Sequence, residues 1–407
     1  MISASPLISS RKAIVIVLVI LALFANMSLQ ILLPSLPAIQ STFDATPAGV
    51  QLLVSLSFLV FGFAMLVYGP VADILGRRPV YLIGMVVYTC GNLICAVAPT
   101  LPLLISGRVI ASAGSSVSMV LSRAIVRDLF SGSEMASVLA RIAMVAAVAP
   151  MLSPPVGGVI TDLLGWRALF LVLAGTGLLS VALIVFALPE TLPDSARDPG
   201  RRFGFAHTVS SFGTLLRDRR YRAYALNGAF VASMFFVFMT TAPFIYVGVL
   251  HISATGYAFY YMTTVGGFFV GYVIAARAAG RVAMDRMLVL GSAAGLAAVC
   301  VSLAVATTVA WTAWSLTVPI IALTVASGTV TPNSQAAVVS GDPRTIGAAS
   351  GLAGFLQMLV GGCLIQGVGL LPHETPYPMI IAMAVSGALG LGAIVWGVAR
   401  PPPAHGS

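Results

Sequence analysis

The chain has 407 residues, 59% hydrophobic and 8% charged, with a formal net charge of +9 and a pI near 9.8. Soluble globular proteins carry about 25% charged residues, so this chain cannot cover itself with polar surface, and a water-soluble domain is excluded. Its apolar residues come in blocks of about twenty, the length that crosses a hydrocarbon layer of roughly 30 Å at 1.5 Å per residue.

In chain order the blocks predict helices over 13–34, 50–70, 80–98, 101–122, 136–160 and 168–188, then 223–247, 256–276, 287–306, 311–330, 345–370 and 377–399. The first follows Arg11 and Lys12 like a secretory signal peptide, but it is too long for an h-region and no small-residue cleavage site follows it. Pro189 to Arg222 is the one long polar stretch, rich in Pro, Gly and charge, and reads as a linker whose end, Phe205 to Tyr221, suits a short interfacial helix. The expectation is an all-α membrane protein of twelve transmembrane helices: a bundle over 1–188, a cytoplasmic linker over 189–222 and a second bundle over 223–407.

Positive loops stay on the cytoplasmic side. With the N-terminus inside, 19 of the 21 Lys and Arg residues fall in cytoplasmic segments, Arg141 being counted there at the cytoplasmic end of its helix; Arg167 lies in a periplasmic loop, and Arg108 is the one left inside a helix. Both termini are therefore expected in the cytoplasm of a bacterial inner membrane. Positive charge spread over loops, without interleaved aromatic residues, points to topology and contact with anionic membrane lipids rather than to nucleic acid. Cys90, Cys95, Cys300 and Cys363 lie in apolar blocks with no CxxC spacing and no neighbouring His, so neither disulfide nor metal is implied.

Several local patterns carry chemistry. Between the second and third helices, Gly69-Pro70-Val71-Ala72-Asp73-Ile74-Leu75-Gly76-Arg77-Arg78-Pro79 combines paired glycines, one acid and two arginines. The glycines suit a tight turn, and Asp73 can bond basic groups or a helix N-terminus, so Gly69, Asp73, Gly76, Arg77 and Arg78 form a candidate gating loop. In the fifth helix, Pro150, Pro154 and Pro155 remove backbone donors while Gly157 and Gly158 allow close helix approach, which suits either a structural kink or a rocking seam. Arg108 must face a cavity or a partner, or snorkel to an interface, because a cation at the bilayer centre costs about 2.5 kcal/mol or more.

The Gly69–Pro79 segment resembles the signature loop of the major facilitator superfamily. The stretches Leu33–Pro37, Arg123–Phe130, Ala149–Gly158, Thr240–Tyr246 and Thr331–Ala336 extend the resemblance to its Bcr/CflA drug-resistance exporters, a drug:proton antiporter branch. The resemblance implies the major facilitator fold of two pseudo-symmetric six-helix bundles, identifies the helix-five stretch with the antiporter motif and Arg108 with the helix-four arginine of a second motif, and suggests a monomer. One departure matters: where family members often carry an acid in helix one, this chain has Gln30, and all twelve acids fall in loops or at helix ends.

Candidate cavity residues are Asn26 and Gln30 in helix one, Arg108, Ser112 and Ser115 in helix four, and Asn227, Met234, Phe235 and Phe238 in helix seven, with Tyr261 in helix eight and Gln357 in helix eleven. Met and Phe at such places also serve simple packing. The expected function is secondary active efflux of small amphipathic compounds by alternating access, with protons as coupling ion although no intramembrane carboxylate is present; the alternative is an uncoupled facilitator or importer of a small metabolite. The histidines sit in loops or the tail without an acid partner, and no GxxxxGK[ST] loop is present, so an enzyme, a bound cofactor and an ATP-driven pump are not expected.

Overall fold

The computed structural model describes residues 11–192, 212–340, 346–371 and 374–399. Most of the 189–222 linker lies outside these, as do residues 205–211 of the expected interfacial helix; residues 212–217 are helical. Twelve long helices follow one another: α1 Arg11–Gln30, α2 Pro47–Leu75, α3 Arg77–Val97, α4 Leu101–Leu129, α5 Gly132–Leu164, α6 Trp166–Ala187, α7 Arg219–Pro243, α8 Ala254–Ala278, α9 Met284–Thr308, α10 Ala313–Val338, α11 Ile346–Gly369 and α12 Tyr377–Val398. Among the described residues eleven helices are long and apolar enough to cross a membrane, and α5 adds the apolar stretch Val148–Leu164. In hydrocarbon every backbone group must be satisfied within the segment, which leaves the helix as the available structure for such blocks.

The helices outrun their apolar blocks, and this corrects the expected loops. Of the eleven-residue segment Gly69–Pro79, only Gly76 is non-helical: α2 runs through Leu75 and α3 begins at Arg77. The turn depends on a φ of 99° at Gly76, where a Cβ would be strained. Arg123–Leu129 likewise belongs to α4, Thr331–Ala336 to α10, and α7 starts at Arg219 within the expected linker. Polar side chains need not end a helix once it has left the hydrocarbon. Ends are set by caps: Thr46 Oγ1 accepts from Gly49 N at 3.2 Å before α2, Asp218 accepts from Arg220 N at 2.9 Å before α7, and Thr312 and Ser315 form a capping box on α10.

Contacts divide the chain into two compact units, Met1–Phe205 with Ile252–Met262, and Ala206–His251 with Thr263–Ser407. The division falls inside α8, whose first turns belong to the first unit. In that unit α4 packs against α3, α2 and α1, while α3 also meets α6 and α1 also meets α5. In the second unit α7 packs against α12, α11 and α10, and α9 meets α10 and α12. The pairings α3–α4, α3–α6, α1–α5 and α1–α4 thus recur as α9–α10, α9–α12, α7–α11 and α7–α10, the pseudo-symmetry of two six-helix bundles.

Lipid tails are as apolar as leucine, so burial alone does not hold such helices together; close packing of small residues does. On α3 and α4 a Cβ at Gly114 would stand 2.4 Å from both Gly84 O and Tyr88 N, and one at Gly91 2.4 Å from Ala111 N. Gly114→Val should therefore force α3 from α4 at a cost of about 1–3 kcal/mol, as overpacking does elsewhere. Thermal unfolding in detergent should show a lowered Tm for this variant and an unchanged one for Gly175→Ala, where a Cβ meets nothing within 4 Å.

Candidate functional site

The turn between α2 and α3 gathers charge from three helices and from the segment after α6. Arg77 is 4% exposed. Its guanidinium pairs with Asp73 at 2.6 Å and donates from Nε to Asp128 Oδ2, at the end of α4, at 3.0 Å. Thr191 Oγ1 donates to the same Asp128 oxygen at 3.3 Å. Glu190, just beyond α6, accepts from Arg77 N at 2.9 Å on one carboxylate oxygen and from Arg78 N at 3.3 Å on the other. These are the first two backbone donors of α3, which have no partner inside the helix, and a carboxylate there also meets the positive end of the helix dipole. Arg78 NH2 donates to Val185 O on α6 at 2.7 Å. Gly69 lies further back on α2, where a Cβ would make ordinary contact with Val120.

Deeper in the first unit lies Arg108, 2% exposed. It donates from NH1 to Ser28 Oγ on α1 at 3.2 Å and from NH2 to Ser28 O. Among the described residues no carboxylate pairs with it. Arg108, Ser112 and Ser115 follow at i, i+4 and i+7 on one face of α4. Ser115 Oγ donates to Ser112 O at 3.1 Å. On facing α3, Asn92 Nδ2 donates to Tyr88 O at 2.9 Å. Arg108 Nε, Ser112 Oγ and Asn92 Oδ1 are buried without a hydrogen-bond partner. Such a centre holds a positive charge and unspent hydrogen-bonding capacity out of reach of water.

On the same last turns of α1 as Ser28, Asn26 is half-buried and donates to Ala22 O of its own helix at 2.8 Å. Gln30 Oε1 accepts from Tyr261 OH on the first part of α8 at 2.8 Å, and Tyr261 is fully buried. The α5 stretch packs beside this pair. A Cβ on Gly157 would fall 2.0 Å from Ile31 O, and one on Gly158 2.8 Å from Ala254 O. Pro150, Pro154 and Pro155 all lie inside the continuous α5 helix. Asp162 Oδ2 accepts from Thr255 N at 3.0 Å and from its hydroxyl at 2.6 Å, fastening the end of α5 to the start of α8.

In the second unit, Asn227 is buried and donates from Nδ2 to Ser292 Oγ at 2.8 Å and to Gly390 O at 2.9 Å, joining α7 to α9 and α12. Met234 is buried and its sulfur and methyl reach toward Gly387 and Gly295, so it fills the space between α7, α9 and α12. Phe235 stacks edge-on against Phe268 with centroids 4.9 Å apart and lies 6.3 Å from Phe238, while Gln357 on α11 is half-buried. The first-unit residues Arg108, Ser112 and Ser115 come together; Asn227 and Met234 hold helices.

Sequence reasoning passed over Glu190, Ser28 and Tyr88. Glu190 had a signal, an acid directly after an apolar block in a chain whose flanking segments are otherwise arginine-rich. Ser28 had none, because a serine in an apolar helix usually bonds its own backbone.

Residues 18–366 match the Major Facilitator Superfamily. The chain is 29% identical over 388 residues to an uncharacterized MFS-type transporter, YdgK, of Bacillus subtilis, covering 95% of each. It is 25% identical over 370 residues to the bicyclomycin resistance protein homolog of Haemophilus influenzae, covering 91% of this chain and 92% of that one. The crystal structure of a D-xylose-proton symporter superposes with a TM-score of 0.74 at 13% identity, over 96% of this chain and 98% of the other, and so shares the fold. The chain belongs to the Major Facilitator Superfamily, a multi-pass membrane transporter and not an enzyme, and over nearly its whole length it is similar to the Bcr/CflA-type drug exporters of that superfamily.

Proposed function

We propose that this transporter exports small amphipathic compounds or antibiotics across a bacterial inner membrane by alternating access, as a monomer with both termini in the cytoplasm. The name of the Haemophilus influenzae relative, a bicyclomycin resistance homolog, supports export. Substrates are neutral, zwitterionic or anionic. The observation carrying this choice is Arg108, buried with its guanidinium against Ser28 and no carboxylate beside it among the described residues. A centre of that charge attracts an acceptor or an anion and repels an organic cation. Asn26, Gln30, Ser112, Ser115 and Tyr261 line the approach in this proposal. The Asp73–Arg77–Asp128 cluster and Glu190 serve as the gating latch, and the small and proline residues of α5 as the antiporter seam.

Arg108→Gln should lower transport of an anionic antibiotic by about tenfold, the weight of one lost charge-assisted hydrogen bond at roughly 1.4 kcal/mol. Because it also removes a buried charge, the variant's Tm should not fall. Export of a permanently cationic dye in preference to all neutral and anionic compounds would overturn the substrate class.

Proton antiport supplies the drive in this proposal. Every described acid stands in a loop or at a helix end, so the carrier in this proposal is such a carboxylate, for instance Asp44 or Asp128. The Gln30 amide favours a second reading, an uncoupled facilitator, because an amide does not titrate. Uptake of a neutral antibiotic into inverted vesicles, with and without an imposed pH gradient, separates the two: stimulation supports antiport, and indifference leaves the facilitator. Gln30→Glu installs a titratable group in hydrogen-bond reach of Tyr261, and the expected result is uptake that depends more steeply on the gradient than in the natural chain. An unchanged gradient response would remove this position from any coupling scheme.

A further inference from the structure

Where α1 and α5 begin, a recess of about 400 Å³ opens between them, lined neither by Arg108 and its partners nor by the charged residues of the α2–α3 turn. Its rim holds three cations, Arg11, Lys12 and Arg141, against one acid, Glu134. Glu134 is engaged by Arg11 at 3.6 Å, with side chains 55% and 70% exposed, and Arg11 also stands 5.9 Å over the ring of Phe130. An exposed pair of this kind is weak and leaves Arg11 free to turn to a better anion. Lys12 and Arg141 form no ion pair among the described residues.

Apolar surface continues one turn further along each helix, with Ile16 inside the recess and Met144 just beyond its lining. Ile16, at i+4 from Lys12 on membrane-crossing α1, is 59% exposed, and Met144, at i+3 from Arg141 on α5, is 61% exposed. Each helix thus sets a cation above an apolar side chain. A free inorganic anion would use the cations and ignore the apolar wall; a hydrocarbon chain would do the reverse.

We propose that this recess is a binding site for an anionic phospholipid, its phosphate held between Lys12 and Arg141 and its acyl chain lying along Ile16 and Met144. A zwitterionic phospholipid is disfavoured because its ammonium group meets the same three cations. Nothing in this assignment depends on what the protein transports or in which direction. Basic residues at a membrane surface contribute to anionic lipid binding by about a fivefold factor in affinity each.

The test uses delipidated full-length protein in detergent, titrated separately with phosphatidylglycerol, phosphatidylcholine and inorganic phosphate, and read by native mass spectrometry and thermal unfolding. Phosphatidylglycerol should bind with defined stoichiometry and raise the Tm, the other two should not, and Lys12→Gln with Arg141→Gln should weaken its binding by about 25-fold. The pair Arg277→Gln with Arg281→Gln, at the end of α8, should leave it unchanged. If the double variant is not recovered folded, Lys12→Gln alone, at an exposed helix end, carries the test with an expected loss of about fivefold. Equal binding of phosphatidylcholine, stabilisation by inorganic phosphate alone, or natural affinity in the Lys12 and Arg141 variants would overturn the proposal.

Discussion

A guanidinium enclosed among membrane-crossing helices has no water to meet its five donors, and the rest of the first unit is arranged around that demand. Arg108 reaches α1 through Ser28, so the α4–α1 contact is polar at its centre. The face of α4 that carries Arg108 also carries Ser112 and Ser115, while the neighbouring face, with Gly107, Ala111 and Gly114, closes against Gly84, Tyr88 and Gly91 of α3. Larger residues at those glycines would drive α3 and α4 apart. Polar contact with α1 and close packing with α3 thus fall on adjacent faces of one helix.

Charge at the helix ends follows different physics. Arg77 is nearly as buried as Arg108, yet it has two carboxylates and sits where Glu190 meets the free donors of α3. Removing one member of a buried pair leaves the other unpaired and costs about 3–5 kcal/mol. A cluster drawn from the ends of α2, α3 and α4 and the segment after α6 is therefore held in register as long as all members are present. Arg108 has no such partner among the described residues, and the proposed function rests on that contrast: one arginine holds helix ends and the other is the proposed recognition centre.

How much of this was legible in the sequence follows the same division. The twelve helices could be read because apolar length is a one-dimensional signal that hydrocarbon thickness imposes directly. Their ends could not, because polarity marks the membrane boundary and a helix continues past it: the eleven residues of Gly69–Pro79 contract to a one-residue turn at Gly76. Arg108 stood out as the lone cation in a span, but its partner Ser28 did not, since the pairing joins residues 80 positions apart. Asn227 shows the converse: a buried amide that composition suggests for a cavity spends both of its donor bonds on Ser292 and Gly390 and ties three helices, with its Oδ1 left unpartnered.

Gln30 marks the point where sequence and packing give one argument. A carboxylate beside Tyr261 would exchange a neutral hydrogen bond for one whose strength changes with protonation, and its ionised form would carry a desolvation cost in this half-buried place beside a buried tyrosine. The amide accepts from the same hydroxyl at every pH. Next to it, Gly157 and Gly158 bring α5 against Ile31 and Ala254, and Asp162 bonds Thr255, so α1, α5 and the first turns of α8 form one tightly joined group. The stability of that group is thereby uncoupled from protonation at position 30.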